Sequence, residues 1–150
     1  KTERDIQSTP AVKGNRVYFG SNDGYCYSLD ANSGALEWRF KAGKAIGSSC
    51  AVTDKSVIFG SADGNVYAVS RKTGDPIWSF KTAAIVVSSP AVVNDVVYVG
   101  SFDGYMYALD AETGKELWAF KTGNAIYSSP IPYKDMLLFG SYDKIFYALF

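Results

Sequence analysis

Hydrophobic and polar positions alternate along this chain in short runs, and none of the runs has the spacing of a helix. In the third quarter of the chain, Val86–Val92 and the β-branched, aromatic run Val96–Ser101 are typical of strands. Asp103-Gly104 then predicts a tight hairpin, because glycine tolerates a positive φ. Tyr105–Leu109 predicts a third strand, and Lys115–Lys121, whose faces alternate, predicts a fourth. The pattern therefore predicts four short antiparallel strands joined by tight turns.

The same pattern returns every 40 residues without a gap. A fixed period of this length indicates an array of like units, and four antiparallel strands per unit are typical of a β-propeller blade. Four kinds of residue mark the register: a Gly-Ser pair, an aspartate, a tyrosine and a tryptophan. They are Gly20-Ser21, Gly60-Ser61, Gly100-Ser101 and Gly140-Ser141; Asp23, Asp63, Asp103 and Asp143; Tyr27, Tyr67, Tyr107 and Tyr147; and Trp38, Trp78 and Trp118.

The predicted fold is all-β, a partial β-propeller of about four four-stranded antiparallel blades in one segment, 1–150. Residue 1 aligns with Lys41, just after an outermost strand, and residue 150 aligns with Asp110, just before one. Blades are expected at about 1–40, 41–80, 81–120 and 121–150, the last without its outer strand. An open arc leaves sheet edges free to pair. We expect the remaining blades from the same polypeptide, with a second copy of the chain as the alternative.

Composition narrows the chemistry that the chain can support. Hydrophobic residues make up 47 %, which argues against disorder, and the balance of 15 basic and 15 acidic residues offers no basic stripe for nucleic acid. No apolar run reaches the ~18 residues of a membrane span. The absence of histidine excludes Ser-His-Asp and Cys-His nucleophiles and zinc sites built on imidazole. The spacing of the two cysteines, Cys26 and Cys50, does not call for a disulfide.

Residues that recur in every unit are expected to serve the folding of the unit. Each recurring aspartate would shape its hairpin by accepting backbone hydrogen bonds, although carboxylates that converge could also bind calcium. Gly100, Ser101 and Ala108 would let neighbouring sheets approach at the axis. The tryptophans on the outermost strands, Trp38, Trp78 and Trp118, are expected to dock structurally between blades. Removal of a fully buried one would cost about 3–5 kcal/mol.

Function is expected where the units differ. The hairpin between the second and third strands lies at the same end of a blade as the link into the next blade, and we call this the funnel end. Mixed charge and two aromatics there form a plausible recognition surface, with a merely solvated rim as the alternative. Lys144 replaces a glycine, so it either distorts its hairpin or is a functional side chain. The candidate ligand- or partner-binding residues are Arg4, Lys44, Phe102, Asn124, Tyr142 and Lys144.

The turn Asp110–Gly114 followed by Trp118 resembles the PQQ-like repeat with its tryptophan-docking motif, as found in quinoprotein dehydrogenases and BamB-like propellers. The first unit matches with Asp30–Gly34 and Trp38. The second departs slightly, because Ser70 replaces the aspartate of its turn. The resemblance covers essentially the whole chain. It implies a ring of about eight blades and an extracytoplasmic location, periplasmic or at the cell surface.

The resemblance covers both enzymes and scaffolds, so the residues must decide between them. It implies that a quinoprotein dehydrogenase holds calcium with carboxylate and amide oxygens, and uses an aspartate base, an arginine on the quinone and often adjacent cysteines. This chain has no Cys-Cys pair, Arg4 is its only arginine near the funnel end, and no insertion interrupts a unit. We predict a non-catalytic scaffold or binding module for a protein partner or small ligand, without metal or cofactor. The alternatives are a piece of a PQQ- and calcium-dependent alcohol dehydrogenase and a sensor propeller of a kinase or membrane-anchored protein.

Overall fold

A computed structural model describes all residues, 1–150, and its fifteen strands form four sheets. The first sheet contains β1 (Ala11–Lys13), β2 (Arg16–Gly20), β3 (Tyr25–Asp30) and β4 (Leu36–Lys41). The second contains β5 (Ala51–Val52), β6 (Ser56–Gly60), β7 (Asn65–Ser70) and β8 (Pro76–Lys81). The third contains β9 (Ala91–Val93), β10 (Val96–Gly100), β11 (Tyr105–Asp110) and β12 (Glu116–Lys121). The fourth contains β13 (Ile131–Tyr133), β14 (Met136–Gly140) and β15 (Phe146–Leu149).

Every sheet is an antiparallel meander in which strands pair in chain order, so the predicted all-β fold is confirmed. We call the sheets blades 1 to 4. Blade 4 has three strands, and the outer edge of β15 has no neighbour. The first strands of successive blades approach one another, β1 beside β5 and β9 beside β13. These short strands therefore line the axis. No helix long and apolar enough to cross a membrane is present.

The first strand of each blade is shorter than the sequence predicts. A strand is expected over Val86–Val92, but β9 begins only at Ala91. The residues before it bond to other blades: Val86 donates its N–H to the Ser61 carbonyl in blade 2, and Ser89 donates to the Ser129 hydroxyl ahead of blade 4. Residues 86–90, which precede β9, therefore form a link between blades, although their composition favours a strand.

Each link is hydrogen-bonded to the blades on both of its sides. In the last link, Ile126 N donates to the Ser101 carbonyl of blade 3 at 3.0 Å, and Tyr142 N of blade 4 donates to the Ala125 carbonyl at 2.9 Å. The buried Ile126 side chain fills the space beside Gly100, where an added Cβ would stand 2.3 Å from its Cγ2. The recurring glycine is therefore required by the link, whereas the sequence predicts a contact with the neighbouring sheet.

The hydrophobic core is divided among the blade interfaces and has no single centre. One cluster joins blades 1 and 2 through Tyr18, Trp38, Ile46 and Phe59. A second cluster of similar size joins blades 2 and 3, and a smaller one of four buried residues joins blades 3 and 4. Because each blade buries its faces against its neighbours, stability of the array depends on these contacts.

Candidate functional site at the funnel end

The recurring aspartates hold the funnel end together with hydrogen bonds. Asp63 accepts from Asn65 N at 2.8 Å, from the Tyr67 hydroxyl at 2.8 Å and from Gly43 N at 2.7 Å, the last in the preceding link. Burial raises the pKa of Asp63, but these bonds outweigh it, so the net pKa is lowered. Equivalent bonds tie Asp23, Asp103 and Asp143 to their links.

These carboxylates do not form the donor set of a calcium site. No group of three or more His, Cys, Asp or Glu side chains lies close enough to hold a metal ion. The oxygens of each aspartate face N–H and O–H donors, which a cation would have to displace. The recurring aspartates therefore serve their hairpins and links in this chain.

Two of the three tryptophans are covered by the β-turn of the following blade. Trp38 is 7 % exposed, and its Nε1 donates to the Arg71 carbonyl at 3.1 Å. Trp78 is buried in the same way and donates to the Ala111 carbonyl at 3.0 Å. Trp118 differs from the prediction of a tryptophan between blades, because it is 38 % exposed. No turn of the described residues packs on Trp118.

An apolar cavity of about 670 Å³ lies beside Trp118, away from the predicted site residues. It lies between blades 3 and 4, and its lining includes Tyr98, Phe120, Leu137 and Leu149. The corresponding space beside Trp38 and Trp78 is filled by the turns that contain Gly74 and Gly114.

The six candidate residues separate into groups along the funnel end. Arg4 and Lys44 line one cleft of about 400 Å³ with Asn22 and Asp23, at the links that flank blade 1. Both cations are exposed, and neither belongs to an ion pair. Glu3 lines the same cleft, so the cleft carries both positive and negative side chains. This group lies on blades 1 and 2, whereas the remaining candidates belong to blades 3 and 4.

Phe102 and Tyr142 meet in a cluster that includes a third ring, Tyr127. The Phe102 centroid lies 5.9 Å from that of Tyr127 and 6.2 Å from that of Tyr142. The two tyrosine rings are 6.1 Å apart and nearly parallel, at 5°. Tyr127 is 55 % and Tyr142 58 % exposed. We call Phe102, Tyr127 and Tyr142 the aromatic cluster.

Sequence reasoning missed Tyr127, although a signal was present. Tyr127 occupies the repeat position of Gln7, Gly47 and Val87, so it breaks the repeat as Phe102 and Tyr142 do. Its run corresponds to Val86–Val92, which the sequence predicts as a strand, and a strand residue would point into a sheet face. The structure places it in the link, directly after buried Ile126, where it reaches the funnel surface.

Asn124 and Lys144 flank the cluster. The Asn124 carbonyl accepts from the Ser141 hydroxyl at 3.2 Å, and its side-chain oxygen accepts from Ala125 N at 2.7 Å. Lys144 adopts a φ of 73°, and its N–H bonds to the Ser141 carbonyl at 3.1 Å, as Gly104 N bonds to Ser101 at 3.0 Å. The hairpin keeps its hydrogen bond, so the lysine does not distort it.

The two cysteines are buried neighbours in the interface between blades 1 and 2. The Sγ atoms of Cys26 and Cys50 are 3.8 Å apart, and both thiols are free. Burial raises the pKa of the Cys26 thiol, and contact with Cys50 adds to the effect. Both side chains belong to the packed core between these blades.

Comparisons with known proteins identify the repeat. The sequence matches the family described as "Outer membrane protein assembly factor BamB" over residues 1–88 and again over 62–149. The chain belongs to this family of PQQ-like β-propeller repeats. The predicted family is thereby confirmed. A search of curated protein sequences gave no significant match.

Solved structures show the same propeller architecture. BamB from Moraxella catarrhalis superposes with a TM-score of 0.84 at 23 % identity, over 93 % of this chain and 45 % of that one. The computationally designed Ika4 protein gives 0.89 at 20 % identity, over 100 % and 93 %. The quinohemoprotein alcohol dehydrogenase ADHIIG from Pseudomonas putida HK5 gives 0.82 at 25 % identity, over 94 % and 29 %. The predicted partial propeller is confirmed, and the chain spans about 45 % of the BamB chain's length.

Proposed function

We propose that this propeller segment is a non-catalytic binding module whose funnel end recognises a protein partner. The observation that carries the proposal is the aromatic cluster. Its tyrosines are more than half exposed, so they add little to folding, yet their rings stack on each other and lie tilted against the ring of Phe102. Exposed, preorganised aromatic side chains are typical of protein interfaces.

The position of the cluster in the repeat supports the same conclusion. Phe102 and Tyr142 stand where blades 1 and 2 carry Asn22 and Ala62, which fold with the same hairpin hydrogen bonds. The hairpin therefore does not need an aromatic side chain. A surplus of apolar surface at a position that the fold leaves free is best explained by a contact with another molecule.

A dehydrogenase is the second candidate, because the fold is similar to that of ADHIIG. It ranks lower, since the recurring aspartates are occupied by the hairpins and form no calcium donor set. Titration with quinone and calcium, followed by tryptophan fluorescence and dye-linked alcohol oxidation, separates the candidates. We expect no saturable response, and turnover would contradict a non-catalytic module.

Retention of proteins from a cell extract tests the binding role. Immobilised wild-type chain is compared with Tyr127→Ala/Tyr142→Ala and with Tyr133→Ala, a control on β13 whose ring is 53 % exposed. We expect at least one protein, identified by mass spectrometry, to be retained by the wild type and the control and lost from the double variant. Identical retention by all three would refute binding at this surface.

A further inference from the structure

The two ends of the arc expose the two halves of one repeated contact. Inside the arc, an aliphatic side chain of each link lies beside a glycine of the preceding blade and is fully buried there, as seen for Ile46, Val86 and Ile126. Ile6 holds the same repeat position in the segment ahead of β1, yet it is 49 % exposed. The chain thus presents this side chain without a blade that receives it.

The matching recess lies at the other end of the arc, on blade 4. At Gly100, an added Cβ would stand 2.3 Å from Cγ2 of Ile126, so the space there is filled. At the equivalent Gly140, the nearest atom to an added Cβ is the Ser128 hydroxyl oxygen, 3.9 Å away. The space that an isoleucine occupies beside Gly100 is therefore open beside Gly140.

Backbone groups at the two ends match in the same way. Thr122 N donates to the Gly104 carbonyl at 2.8 Å and so ties the last link to blade 3. Thr2 and Lys144 hold the same two repeat positions, and neither the Thr2 N–H nor the Lys144 carbonyl has a hydrogen-bond partner in the chain. A segment like residues 1–10, laid on blade 4 in the register of the other links, would pair both groups.

The sheet faces at the two ends are apolar as well. Phe146 on blade 4 is 71 % exposed, whereas Met106 at its repeat position is fully buried against the next blade. Blade 1 carries three partly exposed apolar side chains at positions whose equivalents in blade 2 are buried against the preceding blade. They are Val17, Phe19 and Leu29. Contact between the two end faces would remove these side chains from water, as each contact within the arc does.

We propose that a second copy of this chain covers blade 4, with Ile6 of each copy seated beside Gly140 of the other. One chain carries both halves of the contact, so identical copies fit head to tail. The arc spans about 45 % of the BamB chain on which it superposes, so two head-to-tail contacts close a ring of two copies. An unrelated partner would have to reproduce the isoleucine and the N–H donor in the register of this repeat. The proposal goes beyond the binding role of the funnel end and does not depend on it.

Sedimentation equilibrium of the 150-residue chain tests the proposal. We expect a species of twice the 16.3 kDa chain mass, in a concentration-dependent equilibrium with the monomer. A monomer at all concentrations up to about 100 μM would overturn the proposal and leave the end faces to further blades of a longer polypeptide. A series of larger oligomers would also overturn it, because the contact would then fail to close a ring.

Gly140→Ala separates the contact from the fold of one chain. Within a chain the added Cβ meets open space, and the Gly140 backbone is not in the left-handed region, so the variant should fold as the wild type does. In the dimer the Cβ would overlap the isoleucine of the second copy, as it would at Gly100. We expect the Kd of the dimer to rise about a hundredfold, tenfold for each of the two contacts, with an unchanged circular dichroism spectrum. An unchanged Kd would overturn the proposal.

Ile6→Ala tests the other half of the contact, and Ile77→Ala is its matched control. The two isoleucines are 49 % and 47 % exposed, but Ile77 lies on β8 in the interior of the arc. We expect Ile6→Ala to raise the Kd about tenfold or more and Ile77→Ala to leave it unchanged. Ile6→Ala combined with Gly140→Ala should associate more tightly than Gly140→Ala alone, because the smaller side chain leaves room for the added Cβ. Equal effects of Ile6→Ala and Ile77→Ala would place the contact elsewhere and overturn the proposal.

Discussion

The indole Nε1 of Trp38 donates a hydrogen bond to the backbone carbonyl of Arg71, 3.1 Å away in the next blade. Trp78 makes the corresponding bond to Ala111, while Trp118 is 38 % exposed. We expect Trp38→Ala to destabilise the chain by about 3–5 kcal/mol, the cost of truncating a buried tryptophan. Urea denaturation followed by circular dichroism measures the effect.

Trp118→Ala is the control for that experiment, because the same side chain stands at the same repeat position without a covering turn. We expect it to cost less than half as much as Trp38→Ala. Equal losses would mean that contact with the following turn contributes nothing to the stability of the array.

The sequence allowed the architecture to be predicted because the fold depends on residues that repeat. Gly100, Asp103 and Tyr107 occur in register with their equivalents, and their structural partners recur with them. The partners themselves were not predictable. The bond from Ala83 N to Asp103 joins residues 20 apart, half a repeat, and nothing in the period indicates it.

The candidate site was predictable only in part. Phe102 and Tyr142 were identified because they break the repeat at a hairpin, and they do lie together. Arg4 and Lys44 also break the repeat, in the links, but they line another cleft. A position within the repeat identifies one end of a blade, but it does not identify which blade carries the site. Tyr127 was missed because β-branched and aromatic residues favour strands by composition, while the link geometry is set by contacts between blades.

Stability should fall in acid because hydrogen-bonded carboxylates must be protonated. Burial raises the pKa of Asp23 and Asp63, yet hydrogen bonds from backbone N–H groups and tyrosine hydroxyls lower each pKa overall. A lowered folded pKa means stability that is complete above the unfolded value of about 3.9 and is lost as the pH falls through the folded value.

Asp63→Asn should therefore be less stable than the wild type near neutral pH, by roughly 1–3 kcal/mol, and should lose less on acidification. Urea midpoints at neutral pH and in acid measure both effects. Asp135→Asn, an exposed carboxylate that forms no hydrogen bond, is the control and should follow the wild type. If the urea midpoints of Asp63→Asn matched those of the wild type at both pH values, the hydrogen bonds that Asp63 accepts would contribute nothing to stability.

Alkaline pH should destabilise the chain through the recurring tyrosines. Burial, together with the hydrogen bond to Asp23, raises the pKa of Tyr27 to about 12. The Tyr27 hydroxyl therefore stays protonated to a higher pH in the folded state than in the unfolded chain. Its contribution to the free energy of unfolding is complete below about pH 10 and is lost as the pH rises towards 12. Tyrosine ionisation, followed by ultraviolet absorbance as the pH is raised, should show a phase at high pH that is smaller in Tyr27→Phe. A titration indistinguishable from that of the urea-unfolded chain would contradict this.

Lys144 should carry a conformational cost that glycine would remove. Its φ of 73° is close to the 82–86° of Gly24, Gly64 and Gly104 at the same repeat position. We expect Lys144→Gly to stabilise the chain by about 1 kcal/mol, since a left-handed backbone disfavours residues with a Cβ. Thermal denaturation measures this. A loss of stability would show instead that the lysine side chain contributes to the fold, which would remove the reason to assign it a binding role.

The central claim is that the residues common to all units serve to dock one blade against the next. Gly34 and Gly114 test it most directly, because both have a φ of 71° and so impose the same backbone cost on alanine. A Cβ at Gly114 would stand 2.5 Å from Cδ2 of Trp78, whereas nothing lies within 4 Å of one at Gly34. The measurement is the free energy of unfolding in urea for Gly34→Ala and Gly114→Ala. We predict that Gly114→Ala is the more destabilising by roughly 1–3 kcal/mol, the cost of overpacking; equal losses in the two variants would contradict the claim.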